Sequence, residues 1–269
     1  MMKTEQAWNI FSGDGPIVAV ALHDGHVVRP EVGHLLALGD GVRLREEDPY
    51  TADWTDVADI RVIGTRSRFE VDLNRARDEA VYSKPEQAWG LRVWGAALSP
   101  SVIRRSLAVY DEFYAAMFRL FKDIEDRHGR FVVYDLHSYN HRRSGPTAEP
   151  DDPEQNPEVN IGTGTMDRKY WAPIVDRFIA DLRSFDFLGR QLDVRENVKF
   201  MGRGFPRFVH ENFPRSGCAL AIEFKKFFMD EWTGAVYPEQ HATIRDALKS
   251  TTPGVMEELE NVHKEKQHG

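Results

Sequence analysis

Two histidines stand where apolar runs end. Residues Pro16 to Leu22, P-I-V-A-V-A-L, lead into His23, and residues Arg130 to Leu136, R-F-V-V-Y-D-L, lead into His137. Imidazole nitrogen is a standard zinc ligand, and a catalytic zinc takes three protein ligands while keeping a position for water. A third ligand has two sources here. One is His26, three residues after His23. The other is the acidic cluster Glu46-Glu47-Asp48 in R-L-R-E-E-D-P-Y. Asp24 and Asp135 flank the two histidines and are of the kind that orients an imidazole from behind. Taken singly, each histidine reads equally well as a hydrogen-bonded strand-end residue, and E-E-D as solvated charge. Taken together, the pattern points toward a metal.

A further carboxylate lies inside an apolar run, Glu223 in C-A-L-A-I-E-F. A carboxylate in such surroundings must be paired, protonated or functional. It is either half of a buried ion pair or a general base beside a metal. Asp72-Leu73-Asn74-Arg75 closes another patterned run. Arginine grips a carboxylate with two parallel hydrogen bonds, and Asn74 adds a donor. A strand-end turn with a structural ion pair explains the same four residues.

These residues need a frame. The runs ending at His23 and His137, and Cys218 to Phe224, read as buried central strands. Asp59 to Ile63 and Arg68 to Leu73 read as two more strands, joined at Gly64-Thr65. Pro30 to Leu38 reads as a short helix with proline in its first turn. Ser99-Pro100-Ser101 opens the clearest helix. Its apolar positions Ile103, Leu107, Tyr110, Tyr114, Met117, Phe121 and Ile124 form one core-facing stripe that ends at His128-Gly129. Tyr170 to Ser184 is helical. Asn140 to Pro157 holds four prolines and many acids, and reads as a long binding or lid loop. The tail, 238–269, reads as one helix from about Pro238 to Lys249 and another from Pro253, behind the caps Thr251 and Thr252. The fold expected is a single α/β domain over 1–269, a mixed sheet with helices on both faces.

The chain has 269 residues, 41% hydrophobic and 29% charged, which suits a globular protein with a sizeable core. Its net charge of −8 makes it a poor binder of nucleic acid or anionic membrane. No window approaches the ~20 apolar residues of a membrane helix. The first ten residues, M-M-K-T-E-Q-A-W-N-I, hold no apolar signal core. A single cysteine, Cys218, excludes an internal disulfide framework and suits a reducing cytoplasm.

The ordered set H-D-G-H, E-E-D-P-Y, V-D-L-N-R, D-L-H-S, V-N-I-G-T, N-V-K-F-M-G and A-I-E-F-K-K-F-F-M-D-E resembles the N-formylglutamate amidohydrolase family from about Ile17 to Glu231. D-L-N-R and D-L-H-S are shared with aspartoacylases and succinylglutamate desuccinylases, and all of these are similar in fold to zinc carboxypeptidases. The resemblance implies a hydrolase with one zinc ion, acting on the amide of a small N-acyl amino acid that carries a carboxylate. It implies His23, Glu47 and His137 as metal ligands, with His26 the rival to Glu47. It implies Arg75 and Asn74 as the substrate-carboxylate clamp and Glu223 as the group that activates water. Arg203, Arg207 and His210 are candidates for the oxyanion donor. Where the family reads P-H-S-G, this chain reads L-H-D-G-H, and Glu231-Trp232-Thr233-Gly234 has no counterpart in the resemblance. The alternatives are a carboxypeptidase-like peptidase on the same site and a metal-free binding protein on the same fold.

Overall fold

The computed structural model describes residues 6–264, with side chains to 261. Residues 1–5 of the N-terminal reading and 265–269 of the tail lie outside that range. Three largely apolar stretches, with Ile60–Gly64 beside them, become the middle of a seven-stranded mixed sheet. The strands are β1 (Trp8–Phe11), β2 (Ile17–Ala21), β3 (Ile60–Gly64), β4 (Phe131–Tyr139), β5 (Val159–Gly162), β6 (Val194–Glu196) and β7 (Gly217–Lys225), in spatial order β1-β3-β2-β4-β7-β5-β6. The central four, β3-β2-β4-β7, run parallel, β1 and β5 join antiparallel, and β6 runs parallel to β5. Every residue of β2 and β4 is buried, as a strand covered on both faces requires.

Helices cover both faces. On one side α3 (Pro100–His128) and α5 (Phe205–Asn212) bury Phe113, Phe121, Phe205 and Val209 against Val18, Val133 and Ala219. On the other, α4 (Ala172–Ser184) and α6 (Pro238–Lys264) bury Phe178, Leu182, Leu248 and Val255 against Tyr134, Leu220 and Ile222. Two short helices, α1 (Pro30–Gly33) and α2 (Asp40–Glu46), lie in the crossover from β2 to β3. No helix among the described residues is long and apolar enough to cross a membrane.

Several elements depart from the sequence reading. The tail is one helix, not two. Pro253 removes a backbone donor, and the Thr252 hydroxyl supplies one to the freed Lys249 carbonyl at 2.9 Å, with Thr251 doing the same for Leu248 at 2.6 Å. Residues 68–73 are not a strand. Phe69, Val71 and Leu73 are buried as the alternation suggests, but the segment turns, with Glu70 N–H bonding the Ser67 carbonyl and the buried Glu70 and Asp72 carboxylates held by Arg29 and Arg68. The expected helix over 30–38 shortens to one turn. Residues 205–212, to which the sequence reading assigned no element, form α5, and β1, α2, β5 and β6 add elements whose runs were too short to register. In α3, Ile103 and Leu107 of the expected stripe stay half-buried.

Candidate active site

Parallel strands in register place their C-terminal ends together. His137 of β4 lies opposite Glu223 of β7, and Asn160 of β5 lies opposite Glu223 on the other side. Side chains alternate along a strand. Phe131 and Val133 face the α3 side, so Asp135 and His137 do too, and Ala219 sets the same side for Ala221 and Glu223. His23 follows β2, the next strand over. The backbone N–H of Asp48 bonds the His23 carbonyl at 2.9 Å, which seats the segment after α2 beside the strand ends.

There His23, Asp48 and His137, all buried, bring one ligand atom each within 4.8 Å of one another. Asp48 Oδ2 lies 3.0 Å from His137 Nδ1 and 3.4 Å from His23 Nδ1, and the two rings are 4.9 Å apart. Each imidazole has a carboxylate at its far nitrogen. His23 Nε2 is 2.8 Å from Asp72 Oδ1, and His137 Nε2 is 3.0 Å from Asp135 Oδ1. Glu47 is not in this cluster. It is fully buried, accepts from the Ser67 hydroxyl and faces His26 Nδ1 at 2.5 Å. The chain is extended at Glu47, with ψ 176°, so successive side chains point opposite ways and it is Asp48 that turns to the histidines. His26 turns with Glu47. By the same alternation Asp24, next to His23, bonds the Ala52 amide instead, while Asp135, two residues before His137, shares its face.

A divalent ion fits this arrangement. His23 Nδ1 is buried without a hydrogen-bond partner, although it faces a carboxylate. Burial works against ionised forms, yet the pair of histidines holds Asp48 well below the usual carboxylate range, and Asp135 and Asp48 hold the His137 imidazole well above its own. The cluster therefore favours positive charge at its centre, which two imidazoles and one carboxylate commonly take from zinc.

Asp72 ties the site to its surroundings. It receives the Arg68 guanidinium at 2.8 Å, the Asn74 amide N–H at 2.9 Å and the Tyr82 hydroxyl, besides His23. Asn74 spends its Oδ1 on the Phe205 amide at 2.8 Å and aims Nδ2 at His137 Nε2, 3.2 Å away. Arg75 reaches the same cavity. Its side chain donates to the Gln87 carbonyl at 3.0 Å, and Asp72, 3.7 Å off, already accepts from Arg68, the Asn74 backbone and Tyr82. The guanidinium keeps donors for an anion.

The cavity, about 480 Å³, is lined by His23, Asp48, His137 and Glu223 together with Arg68, Arg75, Arg143, Arg203 and Lys226. Burial pushes the Glu223 carboxyl up to about 7, against the pull of His137. Burial also pulls the Lys226 ammonium down to about 8, where it donates at 2.7 Å to the carbonyls of both Arg45 and Glu47 and so pins the turn that carries Asp48. The 140–157 loop contributes Arg143, which holds Glu46 through both terminal nitrogens at 3.3 and 3.0 Å. The buried Asn160 accepts the N–H groups of Val198 and Lys199 and donates to the Phe200 carbonyl, which sets the far wall. Gly202 there has φ +70° and lies so close to Gly162 that a Cβ has no room.

Of the three oxyanion-donor candidates only Arg203 lines the cavity. Arg207 is exposed on α5. His210 is buried beneath the sheet, accepting the Ala219 N–H at 3.0 Å. Burial takes His210 down to about 4 from 6.5, so it is neutral in the fold and protonates more readily in the unfolded chain. Its contribution is complete above pH 6.5 and is lost as pH falls toward 4, about 3 kcal/mol over the window. In urea titrations at pH 7.5 and 4.5, the wild type should lose roughly that much more stability than His210→Gln. Equal losses would mean that His210 is not held neutral.

Residues 15–229 match the N-formylglutamate amidohydrolase family. The chain belongs to that family. Among solved structures it is similar to an N-formylglutamate amidohydrolase from Ralstonia eutropha, at TM-score 0.71 and 18% identity, over 96% of this chain and 99% of that one. It is also similar to a gene product of Agrobacterium tumefaciens, at TM-score 0.68 and 17% identity, over 95% and 96%. At such identities the likeness speaks for the fold. None of the curated proteins matches the chain. Membership in the amidohydrolase family makes the chain a hydrolase of the amidohydrolase type.

Proposed function

We propose that the chain is a zinc-dependent amidohydrolase that cleaves a carboxylate-bearing N-acyl amino acid, with N-formylglutamate, giving formate and glutamate, the first substrate to test. The observation that carries this reading is the juxtaposition of a two-histidine, one-aspartate cluster with a half-buried glutamate, Glu223, directly opposite His137. His23, Asp48 and His137 would hold the ion, with Asp72 and Asp135 orienting the imidazoles. Zinc bound there supplies Lewis acidity, which acidifies water and polarises a carbonyl.

The remaining work belongs to the protein. Glu223 takes a proton from the attacking water and returns it to the departing nitrogen, a task suited to a carboxyl raised to about 7. Arg75 grips the substrate carboxylate and fixes the scissile bond over the cluster. Asn74, placed by Phe205, holds its amide against His137. Arg203, at the cavity wall, is the one oxyanion candidate within reach.

The test is a product assay with zinc supplied, across N-formyl, N-acetyl and N-succinyl derivatives of acidic and neutral amino acids. Release of the free amino acid from at least one supports the reading, and no release from any sinks it. Arg75→Lys keeps the charge and loses the planar fork. It should raise KM for the carboxylate substrate, with zinc content unchanged. Parent-level kcat/KM in that variant would place the clamp elsewhere.

A further inference from the structure

A second cavity, about 570 Å³ and so larger than the one above, opens between residues 77–98 and the start of α3. Its origin is a packing mismatch. The 77–98 excursion folds over a small core of its own, with Phe69, Tyr82, Ala88 and Val93 buried together. That core does not close onto α3, and Ile103 and Leu107 are left half-buried across a gap. The walls are apolar, built by Val81, Tyr82, Val93, Trp94, Ile103 and Leu107. The volume lies within the ~300–1,000 Å³ of small-molecule pockets.

The charges at this cavity are unbalanced. Arg77, Lys84 and Arg92 line it against the single carboxylate of Asp78. Arg77 is spoken for, because Asp111 holds it through two contacts of 2.6 and 2.8 Å. Arg92 donates only to the carbonyls of Trp94 and Gly95, at 3.1 and 3.0 Å. Among the described residues neither Arg92 nor Lys84 has a carboxylate partner. Two cations facing one exposed acid leave room for one negative charge, and the walls leave room for an apolar body.

We propose that this cavity binds a small amphipathic monoanion, an apolar chain or ring with a single anionic head between Lys84 and Arg92. Nucleic acid and other polyanions fit poorly, since the chain carries a net charge of −8 and the cavity offers no stripe of cations. The site is separate from the metal cluster but shares a wall with its supports. Tyr82 lines the cavity, while its hydroxyl donates to Asp72 behind His23 and its carbonyl accepts from Trp94 Nε1 at 2.6 Å.

The test uses the full chain, with decanoate and decanol as probes, followed by calorimetry. Decanoate should bind saturably at one site, and decanol about three- to fivefold more weakly, the size of one solvent-screened ion pair. Lys84→Glu combined with Arg92→Glu, both exposed, should remove the preference for the acid and leave decanol binding as it was. Leu107→Trp, or Ala97→Trp at the exposed rim where the first does not fold, should fill the cavity and abolish both. Arg75→Ala removes the anion grip of the other cavity and should leave decanoate binding unchanged. Absence of saturable binding, equal affinity for acid and alcohol, or loss of binding in Arg75→Ala would each overturn the proposal.

Discussion

Glu223→Gln should fold, hold its zinc and bind substrate, yet lose roughly 10²–10⁴-fold in kcat, the range for general acid–base catalysis. Glutamine keeps the shape and one acceptor but cannot take a proton. The effect is large because, among the described residues, the other carboxyls lining the cavity are already held. Asp48 is occupied by two histidines, Glu46 by Arg143 and Arg45, and Asp72 by Arg68, His23 and Tyr82. Strand β7 also fixes Glu223 in place, pairing it with His137 on one side and Asn160 on the other. Zinc content by mass spectrometry and thermal unfolding separate a chemical defect from a structural one. A variant that keeps its metal, its stability and its turnover would leave Glu223 as a half-buried carboxyl and no more.

Asp48→Ala should empty the metal site, and Glu47→Gln should not. Removing one of three ligands ought to weaken zinc by more than the ~10–100-fold that loss of a backing partner costs. Asp72→Asn, which alters only such a partner, should fall inside that range. Glu47→Gln instead disturbs a buried contact with Ser67 and His26, and its effect should appear as stability, roughly 1–3 kcal/mol, with the metal retained. Zinc titration of the three variants decides the assignment. Retention in Asp48→Ala with loss in Glu47→Gln would restore Glu47, the residue the family resemblance first suggested.

The proposal of Asp48 in place of Glu47 marks where the linear reading stops. The resemblance located the acidic cluster, and composition could not choose among its members, because the choice depends on which way an extended chain faces after α2 ends. The same parity separates Asp24 from Asp135. Both flank a histidine, but only the one two residues away along a strand shares its face. Arg68 and Lys226 went unnoticed for another reason. Arg68 pairs with Asp72, four residues on, in a segment whose alternation reads as a strand, while Lys226 spends its charge on carbonyls 179 and 181 residues back, a bond that no local pattern announces.

By itself the sequence determined the α/β architecture, since long apolar runs alternating with a 3.6-residue stripe leave little other choice. It also determined that His23, His137 and Glu223 end or occupy central strands, because burial is written locally in their neighbours. Tertiary structure alone decided what those residues meet. Register between β4, β7 and β5 set Glu223 against His137 and Asn160, the turn after α2 brought Asp48 to the histidines, and the 140–157 loop was folded back until Arg143 met Glu46. These are contacts between segments tens of residues apart. Their energies depend on orientation and desolvation, quantities that exist only once the chain has closed on itself.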